Sequence, residues 1–480
     1  MGDPGSSRWI ARGGPTQDDP SRPQHRAARS TSVPMSKQKL MHLVGFSLWS
    51  PSAHMVGAWR HPESHGPGFD WAGPEVWQRI AQDCERGKMD AFFFASQLAP
   101  YGVYQNSIAP TLRDGIQFPT PDVMLLLPMM AAATERLGLV STLSTTYNHP
   151  YSAVRQFSTL DHLTKGRIGW NVVTSFQPRE AANYGIEPIP HDERYVQAEE
   201  YMEVCKQLWA SWEPDSVLED KEAGIWADAA KVHDIDFDGK YYKCKGPAPV
   251  PPSPQGTPVL FQAGGSGSGR DFCARWSDAA LSFQMNVVQM RKYVEDMSAR
   301  AVAAGRRPED LQKFFGVQPI VAVSEAEAKE KQEYLNGLVP PDGSLALLSG
   351  HTAFDFDTLD LDAPADEIPD MPGIQGIWGA VTSLADHGLE KMTIREGARA
   401  YGQSVLMPQL VGNPQQVADE LISLWEESDG DGFLVTCPIR PGGFGEFTDL
   451  VVPILQKAGV YRNDYAGRTF RDHLAQTDAG

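Results

Sequence analysis

The stretch Asp90 to Ala95, DAFFFA, has no polar face, so as a strand it must be covered on both sides. That requirement asks for helices packed on both faces of a parallel sheet, and the remaining chain supplies them. Apolar patterning predicts strands at His42 to Leu48, Asp90 to Ala95, Leu137 to Thr145, Arg167 to Thr174, Pro258 to Ala263, Ala279 to Gln284, Phe314 to Val323 and Phe433 to Pro438. Helical periods fall between them, among them Glu75 to Lys88, Pro121 to Arg136, Tyr151 to Leu163, Tyr195 to Trp209, Gly269 to Trp276, Val287 to Ala304 and Pro414 to Glu427. Phe447 to Ala458 is a closing helix. Eight strands alternating with helices point to an α/β fold of the (β/α)8 TIM barrel type and away from an open sheet.

Two insertions interrupt the alternation. Glu213 to Pro254 contains DFDGKYYKCKG, a hairpin-like segment around Asp238-Gly239, and Pro340 to Gly373 is rich in Pro, Asp and Leu without a clear period. Loops this long in a compact domain generally carry function, and both are expected over the carboxyl-end mouth of one barrel domain spanning residues 35–480. Residues 1–34 have Arg, Ser, Pro and Gly but no apolar period, so they read as a disordered or extended leader, with Met35 a second possible start.

Lys and Arg number 42 against 61 Asp and Glu, a formal charge of -19, which argues against a nucleic-acid or anionic-membrane surface. The five cysteines are scattered without metal-ligand spacing and read as buried or free thiols in a reducing compartment. No apolar run approaches the ~18 residues of a membrane span, so a cytoplasmic protein is expected.

In a barrel, chemistry sits at the carboxyl ends of the strands. The residues there are Ser47, Ser50 and His54, then Ser96 and Gln97, then Thr142, Ser144 and Tyr147, then Asn171 and Ser175, then Gly264, Gly265 and Ser266. This hydroxyl- and amide-rich rim suits a neutral polar cofactor better than acid/base hydrolysis. Glycoside hydrolysis needs two carboxylates across the mouth, whereas Glu180 and Asp192 read as a helix start and a turn residue. AGGSGSGR, Ala263 to Arg270, is the clearest anion candidate, because a glycine turn exposes backbone N–H groups and Ser266 and Arg270 stand near a helix start. It matches neither the dinucleotide nor the P-loop fingerprint.

GRIGWNVVTS at Gly166 to Ser175 resembles a hallmark of the flavin-dependent monooxygenases related to nitrilotriacetate, EDTA and dibenzothiophene-sulfone monooxygenases, within the bacterial luciferase-like superfamily. Further blocks agree in order: AWRHP at Ala58, STTYNHPY at Ser144, LDHLTKGR at Leu160, NYG at Asn183, HDERY at His191 and AGGSGSGR. The resemblance runs from about Met41 to Ala475. It implies that reduced FMN, FMNH2, reacts with O2 to give a flavin (hydro)peroxide, which oxygenates a small organic substrate. It also implies a separate NAD(P)H:FMN reductase as partner and a homodimer or homotetramer. By the same resemblance Ser96, Thr142, Ser144, Asn171, Ser175, His191, Tyr195, Gly265 and Ser266 contact the flavin or its phosphate. His54 and His351 are the catalytic candidates, to stabilise the oxygenated flavin or move a proton. The family usually has Asp where this chain has Ser96, so the ring contact there is altered. Two alternatives stay open, a deazaflavin-dependent oxidoreductase on the same barrel and a non-catalytic flavin-binding barrel.

Overall fold

Phe93 turns into the barrel against Phe46 and Phe261, while Phe92 and Phe94 turn outward against Trp77 and Phe444; each face of that strand is buried. The computed structural model describes residues 39–64, 70–364 and 392–479. Its eight barrel strands are β1 (His42–Leu48), β2 (Ala91–Ala95), β3 (Gly138–Ser144), β4 (Ile168–Val173), β5 (Val259–Gln262), β6 (Ala279–Ser282), β7 (Gln312–Val321) and β8 (Gly432–Val435). They pair in parallel in chain order. β8 then returns to β1 with His42 opposite Gly432, which closes the (β/α)8 barrel.

The barrel is solid. Val44, Phe46, Phe93, Val140, Phe261, Phe314 and Leu434 fill it, and Phe470 enters from the amino end to lie flat against Phe261 at 5.8 Å. Glycine makes room for that plug, since a Cβ on Gly138 would stand 2.7 Å from the Phe470 ring. Beneath it lies a buried polar knot. Asp90, just before β2, accepts the Leu43 N–H at 3.0 Å and Arg462 Nη2 at 2.5 Å, and its Oδ1 lies 2.9 Å from His42 Nδ1. Arg462 also donates to the His473 carbonyl, so the carboxyl-terminal segment is tied to the first two strands. Burial alone would raise the Asp90 carboxyl, but Arg462 and then His42 outweigh it and hold it below the ordinary range.

The structure differs from the sequence reading at three places here. The unpatterned insertion at 340–373 contains a helix, Pro341–Thr352, buried at every residue from Gly343 on; a helix with no wet face shows no period. Residues 365–373 of that insertion, and the leader at 1–34, lie outside the described residues. The closing helix is two helices, Gly442–Leu450 and Val452–Lys457, broken next to Pro453, whose nitrogen has no proton to donate. A short strand at Gln409–Gly412 pairs with the second half of β7, where no strand was predicted.

The first insertion does contain an antiparallel hairpin, Phe237 opposite Cys244, but it runs mainly along the flank of helices Pro150–Thr164 and His191–Trp209. Glu200 gathers the N–H groups of Lys240, Tyr241 and Tyr242 there, and Trp212 Nε1 donates to the Ala248 carbonyl. Tyr242, whose hydroxyl lies 3.4 Å from the Thr145 carbonyl, connects it to the mouth.

Asp90→Asn leaves Arg462 buried without its counter-charge. It is expected to lower the unfolding free energy by about 3–5 kcal/mol, read as a fall in denaturant midpoint. Because the folded carboxyl ionises below the unfolded one, the contribution is present above about pH 4 and is lost as pH falls through the folded value. A wild-type midpoint in the variant would show that the knot does not hold the barrel.

Candidate active site

β3 and β4 are in register with Thr142 beside Asn171, so the polar groups at their carboxyl ends meet. Thr142 Oγ1 gives its one proton to the Phe94 carbonyl at 2.7 Å and accepts from Asn171 Nδ2 at 2.8 Å. Asn171 Oδ1 is then left buried with no partner. Gln262, the last residue of the adjacent β5, has a second orphaned acceptor, Oε1. Further along, Ser175 Oγ donates to Ser144 Oγ at 2.9 Å, which also accepts the Thr146 N–H. Ser175 leaves the strand at φ +50°, with Arg194 Nη1 donating to its carbonyl. Ser96 stands half-buried just past the end of β2.

The glycine turn behaves as a helix entry. Ser266 is the N-cap of helix Gly267–Trp276 and accepts the Gly269 N–H at 3.1 Å, while Gly265 is exposed. Gly269 lies against the Tyr195 phenol, where a Cβ would come within 2.6 Å of the hydroxyl. Burial raises the Tyr195 pKa, and hydrogen bonds with Thr174, Ser266 and Gln262 act against that rise. His191 packs edge-on to Tyr195 and contacts Asp192, which in turn accepts from Ser268. HDERY is therefore the first turn of helix His191–Trp209 and not the loop before it. Arg270 does not join the turn; it pairs with Asp296 at 2.8 Å and lies over Tyr293.

His54 and His351 form the opposite wall. His54 stacks on Phe46 at 4.2 Å, meets Phe283 edge-on, and has its Nδ1 3.4 Å from Thr436 Oγ1. Burial, then His351, then Arg440 lower its pKa to about 3. His351, on the buried helix Pro341–Thr352, lies between two phenols, Tyr101 and Tyr401, and burial lowers its pKa to about 4. Both imidazoles are neutral at pH 7.

The expected residues thus fall into three groups, the strand-end pairs Thr142/Asn171 and Ser144/Ser175, the Ser266–Tyr195–His191 corner with Gly265, and the two histidines, with Ser96 placed by itself past the end of β2. Three residues beside these groups escaped sequence reasoning. Glu180 is no simple helix start; it is 3% exposed, accepts the Leu98 N–H at 2.8 Å, and burial raises its pKa against backbone hydrogen bonds from Leu98, Gln177 and Phe176. Arg194 is partly buried with an orphaned Nε. Gln262 alone left a trace, as an amide ending the otherwise apolar run VLFQ.

Comparison with known proteins agrees with this geometry. The family described as luciferase-like monooxygenase matches residues 54–431. Dibenzothiophene-sulfone monooxygenase of Rhodococcus erythropolis (strain XP) is 40% identical over 453 residues, 92% of this chain and 97% of its own. The crystal structure of DmoA from Hyphomicrobium sulfonivorans superposes with a TM-score of 0.83 at 38% identity, covering 91% of this chain and 92% of that one. A riboflavin lyase crystallised with modified FMN and riboflavin superposes equally well, TM-score 0.83 at 32% identity, over 92% of this chain and 97% of that one. With eight strands closed in the same topology and this likeness extending over nine-tenths of its length, the chain belongs to the luciferase-like monooxygenase family.

Proposed function

We propose that the mouth binds reduced FMN and uses O2 to oxygenate a small organic substrate. The observation that carries this reading is the pair of buried acceptors on adjacent strands, Asn171 Oδ1 and Gln262 Oε1. Buried acceptors need donors, and the imide N–H and ribityl hydroxyls of a flavin are donors of that kind. The names of the relatives support the same reading, one a sulfone monooxygenase and one solved with a modified FMN.

Asn171 and Gln262 would accept from the flavin, with Ser96, Thr142, Ser144 and Ser175 as the flanking hydroxyls. Gly265, Ser266, His191 and Tyr195 would hold the phosphate at the start of helix Gly267–Trp276, where exposed N–H groups and the helix dipole favour an anion. Bound FMNH2 supplies the activation of O2. Phe46, Phe283 and the His54 ring offer an apolar wall that keeps water from the reacting face. A neutral His54 can hold or pass a proton at its ring nitrogens without adding fixed positive charge. In this reading a separate NAD(P)H:FMN reductase supplies the reduced flavin in the cytoplasm, which agrees with a sequence that carries no nicotinamide fingerprint. Among the described residues no helix is long and apolar enough to cross a membrane.

Anaerobic titration should show binding of chemically reduced FMN, and admission of O2 with a panel of sulfones, sulfides and alkanes should label one product with ¹⁸O. No FMNH2 binding together with no product across the panel would sink the oxygenase reading; hydride transfer to a deazaflavin alone would favour the other cofactor. Asn171→Ala should weaken FMNH2 binding about fivefold, the worth of about 1 kcal/mol for one hydrogen bond. An unchanged Kd would move the flavin elsewhere. Since both mouth histidines stay neutral above about pH 4, kcat/KM should have no limb between pH 6 and 8 that a His54 variant removes.

A further inference from the structure

His351 reads from sequence as a proton carrier, yet its neighbours leave neither ring nitrogen free. Gln117 Nε2 donates to the Ala53 carbonyl at 3.2 Å, and a carbonyl can only accept, so the amide orientation is fixed with Oε1 toward Tyr101. Tyr101, 2.8 Å from that oxygen, gives it its only proton. Toward His351 Nε2, also 2.8 Å away, the Tyr101 oxygen is therefore an acceptor, and Nε2 must carry the ring proton. Nδ1 is left with its lone pair, which the Tyr401 hydroxyl meets at 2.6 Å as donor. Reversing the whole order would set the Gln117 carbonyl against the Ala53 carbonyl, and moving the ring proton alone would set two lone pairs against each other between Tyr101 and His351. Tyr101, Gln117, His351 and Tyr401 are all buried, so no such mismatch is relieved by solvent.

We propose that His351 is a positioning residue and not a base: a one-way chain of hydrogen bonds from Tyr401 through His351, Tyr101 and Gln117 to Ala53 fixes it as the neutral Nε2–H tautomer and sets the His54 loop against the lid helix. Tyr401, from helix Ile394–Ser404, is the donor that begins the chain and is a second positioning residue. The chain ends on Ala53, the residue before His54, so three separate segments of the mouth take one arrangement. The link to catalysis rests on the oxygenase reading, whereas the tautomer does not.

The test is long-range ¹H–¹⁵N correlation of ring-labelled histidine in the full-length protein at pH 7, with His351→Gln assigning the His351 signals by their loss. The expected result is a neutral Nε2–H ring in the wild type and in Tyr401→Phe, and a mixed tautomer in Tyr101→Phe, which has lost the acceptor. An Nδ1–H ring, an imidazolium, or a Tyr101→Phe spectrum like the wild type would overturn the proposal. For turnover, His351→Gln keeps an N–H where Nε2 was, so product formation should stay within about threefold of wild type while His351→Ala loses about tenfold. Equal losses in the two variants would assign His351 a proton-transfer role instead. A wild type inactive on every panel compound would sink the oxygenase reading, and the tautomer spectrum would still decide this one.

Discussion

One buried guanidinium ties the segment after the barrel's last strand to the segment after its first. Arg440 follows β8 and donates to Ser47 Oγ at 3.1 Å and to the carbonyls of Leu48, Ser50 and Pro51 at 2.7 to 2.9 Å, with Trp77 beneath it at 5.3 Å. Among the described residues no carboxylate is within ion-pair distance of it. Burial lowers its pKa to about 10, so it stays charged at neutral pH. An enclosed cation without a counter-ion is costly, and the hydrogen bonds to carbonyl dipoles offset that cost only while the segment after β1 keeps its present shape. The same segment leads to His54, whose ring Arg440 helps keep neutral. At the amino end of the barrel the Arg462–Asp90 pair ties the carboxyl-terminal segment to the first two strands, here with a carboxylate.

A barrel plugged at its amino end and filled through its middle leaves its carboxyl-end mouth open to a ligand. Phe470 closes the amino end, and Phe314, Phe261 and Phe93 occupy the centre. Polar side chains without partners then matter most at the carboxyl ends of β4 and β5, where Asn171 and Gln262 lie beyond the packed layer. The hydroxyls around them already bond to one another or to carbonyls, as Thr142 and Ser175 do, so the rim is stiff before anything binds.

The eight strands were legible in the sequence because burial on both faces leaves an unbroken apolar run, of which DAFFFA is the plainest. The strand-end residues were legible too, since Thr142, Asn171 and Ser175 interrupt such runs with polar atoms. What could not be read depends on contacts between distant residues. Arg440 meets Ser47 across 393 positions, and Glu180 meets Leu98 across 82; nothing local marks either as buried. The lid helix Pro341–Thr352 is covered on all sides, which erases the period that would reveal it. Arg270 misled for the opposite reason: it lies next to the glycine turn in sequence, but its side chain follows its own helix to Asp296.

The two walls of the mouth differ in origin. Asn171, Gln262, Ser266 and Tyr195 belong to strands β4 and β5 and the helices beside them, so moving any of them would move the barrel itself. His351 and Tyr401 come from the long connection between β7 and β8, which can change length and course without disturbing strand pairing. A rigid floor is therefore combined with a roof built from a separate connection. Tyr101 and Gln97 join the two: they follow β2 beside the floor, yet Tyr101 bonds to the roof at His351, and both bond to Gln117. The loop after β2 thus bonds to the roof through Tyr101, and Glu180 fixes it by accepting the Leu98 N–H.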